Sequence, residues 1–303
     1  MSLRTSRAVR VTGRDGAVSH AEHGPWHAAD ALASWGSVSK VMVAAVARAL
    51  VESRALAWST TVAEVTGDAV PDGVTIGALV EHRSGLPRLL PEQARMVRDP
   101  YGPYTDARFD DEVLPRLASL VGPVRSEPDY SNLGYAVLTR VLERSQGAPW
   151  VELLRDVVVE PAGLPREAVT LTPGPDAVRA RGVLGGALEE WDLSTGPFSG
   201  AGGLWASIAT MTTLAGTALD PGSLLDPLSG RTAWVDDRPR FWHNGATLRS
   251  GGIVVVDVEA GTVTAAHTVG GLPTSNATQA EKLVADLLGR GAPGAAGPTA
   301  SAS

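Results

Sequence analysis

The 303-residue chain contains no cysteine, which excludes disulfide bridges, thiolate metal sites and a cysteine nucleophile, and leaves the redox compartment open. Lysine is almost missing too: Lys40 and Lys282 are the only lysines among 26 basic residues. No apolar run approaches the length that spans a bilayer. Positive charge is not in excess, and the formal net charge of −7 argues against a nucleic-acid or acidic-membrane partner. The N-terminal MSLRTSRAVRVTGRDGAVSH lacks the basic, apolar and small-residue order of a secretory signal, so a cytoplasmic location is expected. Internal repeats and a Gly-rich phosphate loop are absent. His20, His23, His27 and His267 show no metal-ligand spacing.

What is present suffices for a full core, in one large domain or two smaller ones. Residues 7–12 and 16–21 alternate around Gly13-Arg14-Asp15-Gly16, which predicts a hairpin. An Ala- and Val-rich helix is expected from about Ser37, with Val41, Met42, Ala45, Val46 and Leu50 on one face. The middle region has helical periodicity, best over Arg108–Leu120, Gly134–Ser145, Pro149–Val159 and Ile208–Leu219. Beyond about Arg231 the pattern turns to strands: Ile253–Val258 and Thr262–Ala266, joined by Glu259-Ala260-Gly261. Ser275–Leu288 closes the pattern as an amphipathic helix, and residues 291–303 are expected to be a disordered tail. Strands at both ends with helices between them predict an α/β fold. Its antiparallel sheet is built from the two termini, flanked by helices, and holds a mainly helical insertion, with a cleft between the parts.

Three short motifs carry candidate chemistry. In Ser37-Val38-Ser39-Lys40, the serine and lysine are three apart and share a helix face. A serine hydroxyl needs an adjacent base to become a nucleophile, and a lysine can be that base only where burial or a neighbouring cation lowers its pKa. Arginine cannot take this role, so a lysine kept in an arginine-rich chain is informative. By itself the pattern equally suits a helix cap beside a surface lysine. In Tyr130-Ser131-Asn132, Asp129 and Ser131 can cap a helix starting near Leu133. A cationic lysine beside Tyr130 would favour its phenolate, and Asn132 offers a donor and an acceptor; a plain turn with a buried ring is the alternative. In His243-Asn244-Gly245, the glycine lets a backbone approach a ligand closely, and the N–H of Ala246 could face an acyl oxygen. His243 alone reads equally well as a structural histidine.

Taken together and in this order, Trp35-Gly36-Ser37-Val38-Ser39-Lys40, Asp129-Tyr130-Ser131-Asn132-Leu133-Gly134-Tyr135 and Trp242-His243-Asn244-Gly245 resemble the three motifs of the serine β-lactamase and penicillin-binding-protein-like superfamily. The likeness is strongest to its class C-like branch of D-alanyl-D-alanine carboxypeptidases, D-aminopeptidases, esterases and transacylases. Glu81-His82-Arg83-Ser84-Gly85-Leu86-Pro87 and Ala201-Gly202-Gly203-Leu204-Trp205-Ala206-Ser207 are similar to further stretches of that family, with His82 expected to be structural. The resemblance covers about residues 7–290. It implies one β-lactamase-like catalytic domain over 1–290, with an α/β part near 1–50 and 231–290 and a helical part near 51–230.

The resemblance further implies Ser37 as the acylated nucleophile, Lys40 as its activating partner and Tyr130 as a proton relay. Asn132 and His243 would face substrate, and the N–H groups of Ser37 and Ala246 would form an oxyanion hole. Neither a metal nor an organic cofactor is implied. The departures lie in a short chain and in Asn244, where many relatives carry Thr; Arg249 is a substitute candidate for carboxylate binding. The expected function is a serine hydrolase or acyltransferase acting on a small ester or amide. A D-amino-acid peptidase, a β-lactamase-type amide hydrolase and a non-catalytic binding protein on the same fold are the alternatives.

Overall fold

The computed structural model describes residues 5–96, 98–123, 126–270 and 273–289, without side-chain detail for Pro273 and Thr274. The expected tail at 291–303 lies outside the described residues.

Strands β1 (Ser6–Gly13) and β2 (Val18–His23) form the N-terminal hairpin. Short strands β3 (Ala33–Ser34), β4 (Val169–Thr170) and β5 (Trp205–Ala206) make a small second sheet in the order β3-β5-β4. Strands β6 (Val235–Asp237), β7 (Arg240–Ala246), β8 (Ser250–Asp257) and β9 (Thr262–Val269) follow near the C-terminus. The main sheet is antiparallel with order β2-β1-β9-β8-β7-β6, so its middle is a splice of the two chain ends, Val9 lying opposite Ala266.

Period-two burial explains why this sheet is covered on both faces. Ile253 and Val255 of β8 join Val9, Trp242 and Ala266 on the face that receives Ala280 and Val284 of the last helix. Val254 and Val256 point the other way, with Ala8, Val263 and Ala265, into the large core.

The helices are α1 (Ser39–Glu52), α2 (Val62–Thr66), α3 (Ile76–Val80), α4 (Asp106–Arg108), α5 (Leu117–Leu120), α6 (Asn132–Gln146), α7 (Trp150–Leu154), α8 (Ser199–Gly202), α9 (Ile208–Gly216) and α10 (Pro273–Leu288). Sequence periodicity placed α6, α9 and α10 well. Elsewhere it overextended regular helix. The stretch from Asp106 to Leu120 changes from α to a wider turn at Phe109–Val113 and a tighter one at Leu114–Arg116, where Pro115 removes a backbone donor. The expected helix over Pro149–Val159 is α7 continued by a wide turn at Arg155–Val159.

Helix α1 is buried on nearly every side, not on one face: Ser39 through Arg48 are all covered. It packs against α6, α7 and α8, and is the axle of the molecule. Arg48, near its end, donates to the Asp226 carbonyl and the Ser229 hydroxyl while pairing with Glu52 at 2.6 Å, which fastens the 222–229 loop to the axle. Among the described residues no helix is long and apolar enough to cross a membrane.

Candidate active site

Ser37 lies on a single tight turn, Gly36–Val38, immediately before α1. It does not cap the helix, which begins at Ser39 with no side-chain cap. Ser39 has the structural duty instead: its hydroxyl donates to the Gly36 carbonyl (2.7 Å) and accepts the Leu204 N–H (3.1 Å). That leaves the Ser37 hydroxyl free for chemistry.

Lys40, one turn on, is fully buried, with Nζ 3.1 Å from Ser37 Oγ, and it donates to the Ala201 carbonyl at 2.6 Å. Burial, then the positive charge of Arg88, pushes its pKa well below the ordinary lysine value. An uncompensated buried ammonium costs several kcal/mol, and no carboxylate pairs with this one among the described residues, which favours the neutral amine. Nζ donates to Ser37 Oγ as well as to the Ala201 carbonyl, and a neutral amine that gives up the first of these contacts can accept the Ser37 proton.

Tyr130 is half-buried, hydrogen-bonded to Ser37, and its ring centroid is 4.8 Å from Lys40 Nζ. Burial raises its pKa, against the lowering effects of Ser37 and Arg88. The sequence expectation of a phenolate favoured by a cationic lysine is therefore corrected on both sides: a neutral amine faces a neutral phenol. His82 braces this tyrosine. Its ring lies 4.6 Å from Tyr130 and 4.9 Å from Tyr135, and its Nδ1 accepts the Ser131 N–H. The backbone pays in strain, with φ of 57° at a non-glycine residue. Ser131 caps α6 by accepting from Gly134, while the Asp129 N–H goes to the His82 carbonyl.

The remaining wall is β7. Gly36, at φ 50°, and Gly245 let this strand press against the nucleophile turn. A Cβ on Gly36 would lie 2.8 Å from the Ala246 nitrogen; one on Gly245 would collide with the Trp35 carbonyl and reach 2.8 Å from the Ser37 nitrogen. The N–H groups of Ser37 and Ala246 thus become neighbours, as a two-donor oxyanion site requires. His243 is buried, its Nδ1 2.6 Å from the Asn244 carbonyl, and burial is the main cause that holds its pKa at about 4, so it faces the site as a neutral ring.

These groups open onto a cavity of about 700 Å³, the size of a small-molecule site. Ser37, Tyr130, Asn132, His243, Asn244, Gly245 and Ala246 all line it. Asn132 donates to the Tyr101 hydroxyl (3.1 Å), and its buried Oδ1 has no partner among the described residues.

Arg249 is not among the lining residues; Asn244 is, with its Nδ2 donating to Glu281 of α10 at 2.7 Å. Sequence reading missed Ala201, Arg88, Tyr101, Thr247 and Glu281, for which no local pattern exists; only the Gly202-Gly203 turn hinted at Ala201. Among the described residues no group of three or more metal-ligating carboxylate or imidazole side chains is gathered.

An antiparallel sheet spliced from both termini, with a serine and a buried lysine at the head of the central helix, defines the β-lactamase and transpeptidase class of fold. A structure of a beta-lactamase/D-alanine carboxypeptidase from Yersinia pestis, complexed with citrate, matches with TM-score 0.73 and 18% identity over 94% of this chain and 93% of that one. A class C beta-lactamase from Rhodobacter sphaeroides matches with TM-score 0.67 and 18% identity over 93% and 95%. Penicillin-binding protein 4 of Amycolatopsis lactamdurans is 30% identical over 316 residues, covering 86% of this chain and 77% of that protein. The family described as Beta-lactamase matches residues 4–288, and the chain belongs to it. At the family level this supports serine hydrolase chemistry.

Proposed function

We propose that the protein cleaves or transfers the acyl group of a small ester or amide through an acyl-enzyme on Ser37. The carrying observation is the 3.1 Å contact between the Ser37 hydroxyl and a fully buried, neutral Lys40 amine. In the proposed sequence, Ser37 Oγ bonds to the acyl carbonyl carbon while its proton passes to Lys40. The oxyanion is held by the N–H groups of Ser37 and Ala246. As the bond to the leaving group breaks, that group takes the Tyr130 phenolic proton, and Lys40 restores it. Water, or an amine or alcohol, then attacks the ester and gives its proton back through the same groups.

A D-amino-acid peptidase or β-lactamase-type amide hydrolase is the second reading. The orphaned Asn132 Oδ1 favours it, because it is placed to accept an N–H such as that of an amide-bearing donor. The penicillin-binding relative points the same way.

Intact-protein mass after exposure to a fluorophosphonate and, separately, to a β-lactam tests both readings. An adduct is expected in the wild type and not in Ser37→Ala. Lys40→Arg, which cannot release its proton, should acylate about a hundredfold to ten-thousandfold more slowly. A folded wild type that takes up neither reagent would instead be a binding protein on this fold. Assays with and without added amines separate the products: free acid alone marks a hydrolase.

A further inference from the structure

One wall of the cavity is a strap. Trp191 and Leu193 line the cavity, yet residues 189–195 make no backbone-to-backbone hydrogen bond among the described residues. Two carboxylates clasp this stretch instead. At one end the half-buried Glu190 reaches the turn between β7 and β8. Its Oε2 accepts the Thr247 hydroxyl (3.2 Å) and the Arg249 N–H (3.1 Å), and its Oε1 stands 3.5 Å from the Ser250 hydroxyl. At the other end Asp99 Oδ2 accepts the Asp192 N–H (2.9 Å), while Asp99 Oδ1 accepts the N–H groups of Tyr101 and Gly102. Between the clasps the Trp191 ring meets Tyr101 edge to face, centroids 5.4 Å apart, and the Tyr101 hydroxyl accepts from Asn132. Burial pushes the Glu190 pKa up to about 7, against the lowering effects of the Thr247 hydroxyl, the Arg249 N–H and the charges of Arg249 and Arg179. Those two arginines, one on the β7–β8 turn and one on the segment leading to the strap, are the charged groups that bear on it most.

We infer that Glu190 is a positioning residue of this site: it fastens the strap to the β7–β8 turn, so that Trp191 stands as a fixed apolar wall and the acyl donor carries an aryl or similarly sized apolar group packed against it. A segment without backbone partners keeps its shape through such side-chain bonds. A wall fixed beforehand also spares the binding step the cost of ordering it. The inference rests on the Ser37 acyl-enzyme reading and narrows its substrate. The clasp responds to pH with a definite sign. Its folded pKa lies above the ordinary 4.5, so the closed strap favours the neutral carboxyl; that stabilisation is complete below 4.5 and is lost as pH rises through 7.

The test compares paired donors in wild type, Glu190→Ala and Glu190→Gln. In one arm the aryl group is in the acyl chain: para-nitrophenyl phenylacetate against para-nitrophenyl acetate. In the other it is in the leaving group: S-benzyl thioacetate against S-methyl thioacetate. Reading the kcat/KM ratio of each pair against wild type cancels the donors' intrinsic reactivity. For one pair the ratio should fall by about tenfold or more in Glu190→Ala. Glu190→Gln keeps an acceptor for Thr247 and Arg249 and gains a donor for Ser250, so it should hold the wild-type ratio. As pH rises through 7 the wild-type ratio should fall while that of Glu190→Gln stays level. Ratios unchanged in Glu190→Ala, a loss as large in Glu190→Gln, or one pH profile shared by wild type and Glu190→Gln overturns the inference. If Glu190→Ala does not fold, the pH comparison decides unaided.

If the wild type turned over no donor, the Ser37 reading would fall by itself. The clasp would then be read by hydrogen exchange of the peptide spanning 186–195, followed by mass spectrometry at one pH below 7. Faster exchange in Glu190→Ala with wild-type exchange in Glu190→Gln upholds the clasp, and equal exchange in all three proteins sinks it.

Discussion

His267 and His27 form a buried relay beneath the nucleophile turn. The His267 Nε2–H donates to the Ser34 carbonyl at 3.0 Å, so its Nδ1 accepts from His27 Nε2–H at 2.8 Å, and His27 Nδ1 in turn accepts the Ser6 hydroxyl at 2.8 Å. Every position in the chain is filled by neutral rings, and a proton added to either ring would break one link. Burial holds His267 at about 4; burial, then the neighbouring His267, holds His27 at about 2, against an ordinary 6.5. Both folded values are depressed. The unfolded chain therefore binds protons that the folded chain refuses as pH falls below 6.5, and the stabilisation present above that pH is lost on the way to pH 4. For His267 alone this amounts to roughly 3 kcal/mol at full effect. Thermal melts between pH 7 and pH 4 should show Tm falling more steeply in the wild type than in His267→Gln, whose glutamine does not titrate. Equal slopes would mean that the relay is not what senses the acid.

Elements, not single side chains, bring the backbone N–H groups of Ser37 and Ala246 together, the pair proposed to hold the oxyanion. The tight turn before α1 and the end of β7 must touch through their backbones, and two glycines make that contact possible. Gly245→Ala adds one methyl where the Trp35 carbonyl and Ser37 nitrogen already stand, so strand and turn must part. The expected result is a loss of acylation by about a hundredfold or more, since one oxyanion donor is worth that much, with Lys40 and Ser37 chemically unchanged. Stopped-flow acylation rates would check it; a rate within a few-fold of wild type would dissociate β7 from catalysis. Short elements also show where pattern reading stops. Helix α6 was legible from its Ser131 cap and its periodicity, and α10 from its apolar stripe. The wide turns at Phe109–Val113 and Arg155–Val159 were not, because they carry the same residue types as regular helix.

Across the whole molecule, one core joins the sheet to the helices. Val254, Val256 and Ala265 of the sheet belong to the same apolar cluster as Met42 and Val46 of α1, Leu138 of α6 and Trp150 of α7. The cavity lies between parts that share this core, so neither part can lose its fold alone. Unfolding in urea should give coincident transitions by far-UV circular dichroism and tryptophan fluorescence. Two separated transitions would show that the helical region unfolds independently of the sheet.

The sequence by itself determined the spacing of Ser37 and Lys40, the alternation that covers both sheet faces, and the splice of the two termini, because each depends on neighbours a few residues apart or on bulk hydrophobic pattern. Tertiary structure alone decided which protonation states burial favours at the site and which arginine lines the cavity. The pKa of Lys40 is lowered because helices far apart in the chain bury its amine, and its hydrogen bond goes to the Ala201 carbonyl, 161 residues away in sequence. Arg88 faces the cavity while Arg249 does not, and Asn244 is taken by Glu281. Desolvation and charge pairing are set by distance in space, so groups far apart in the chain fix the chemistry of those that its motifs place side by side.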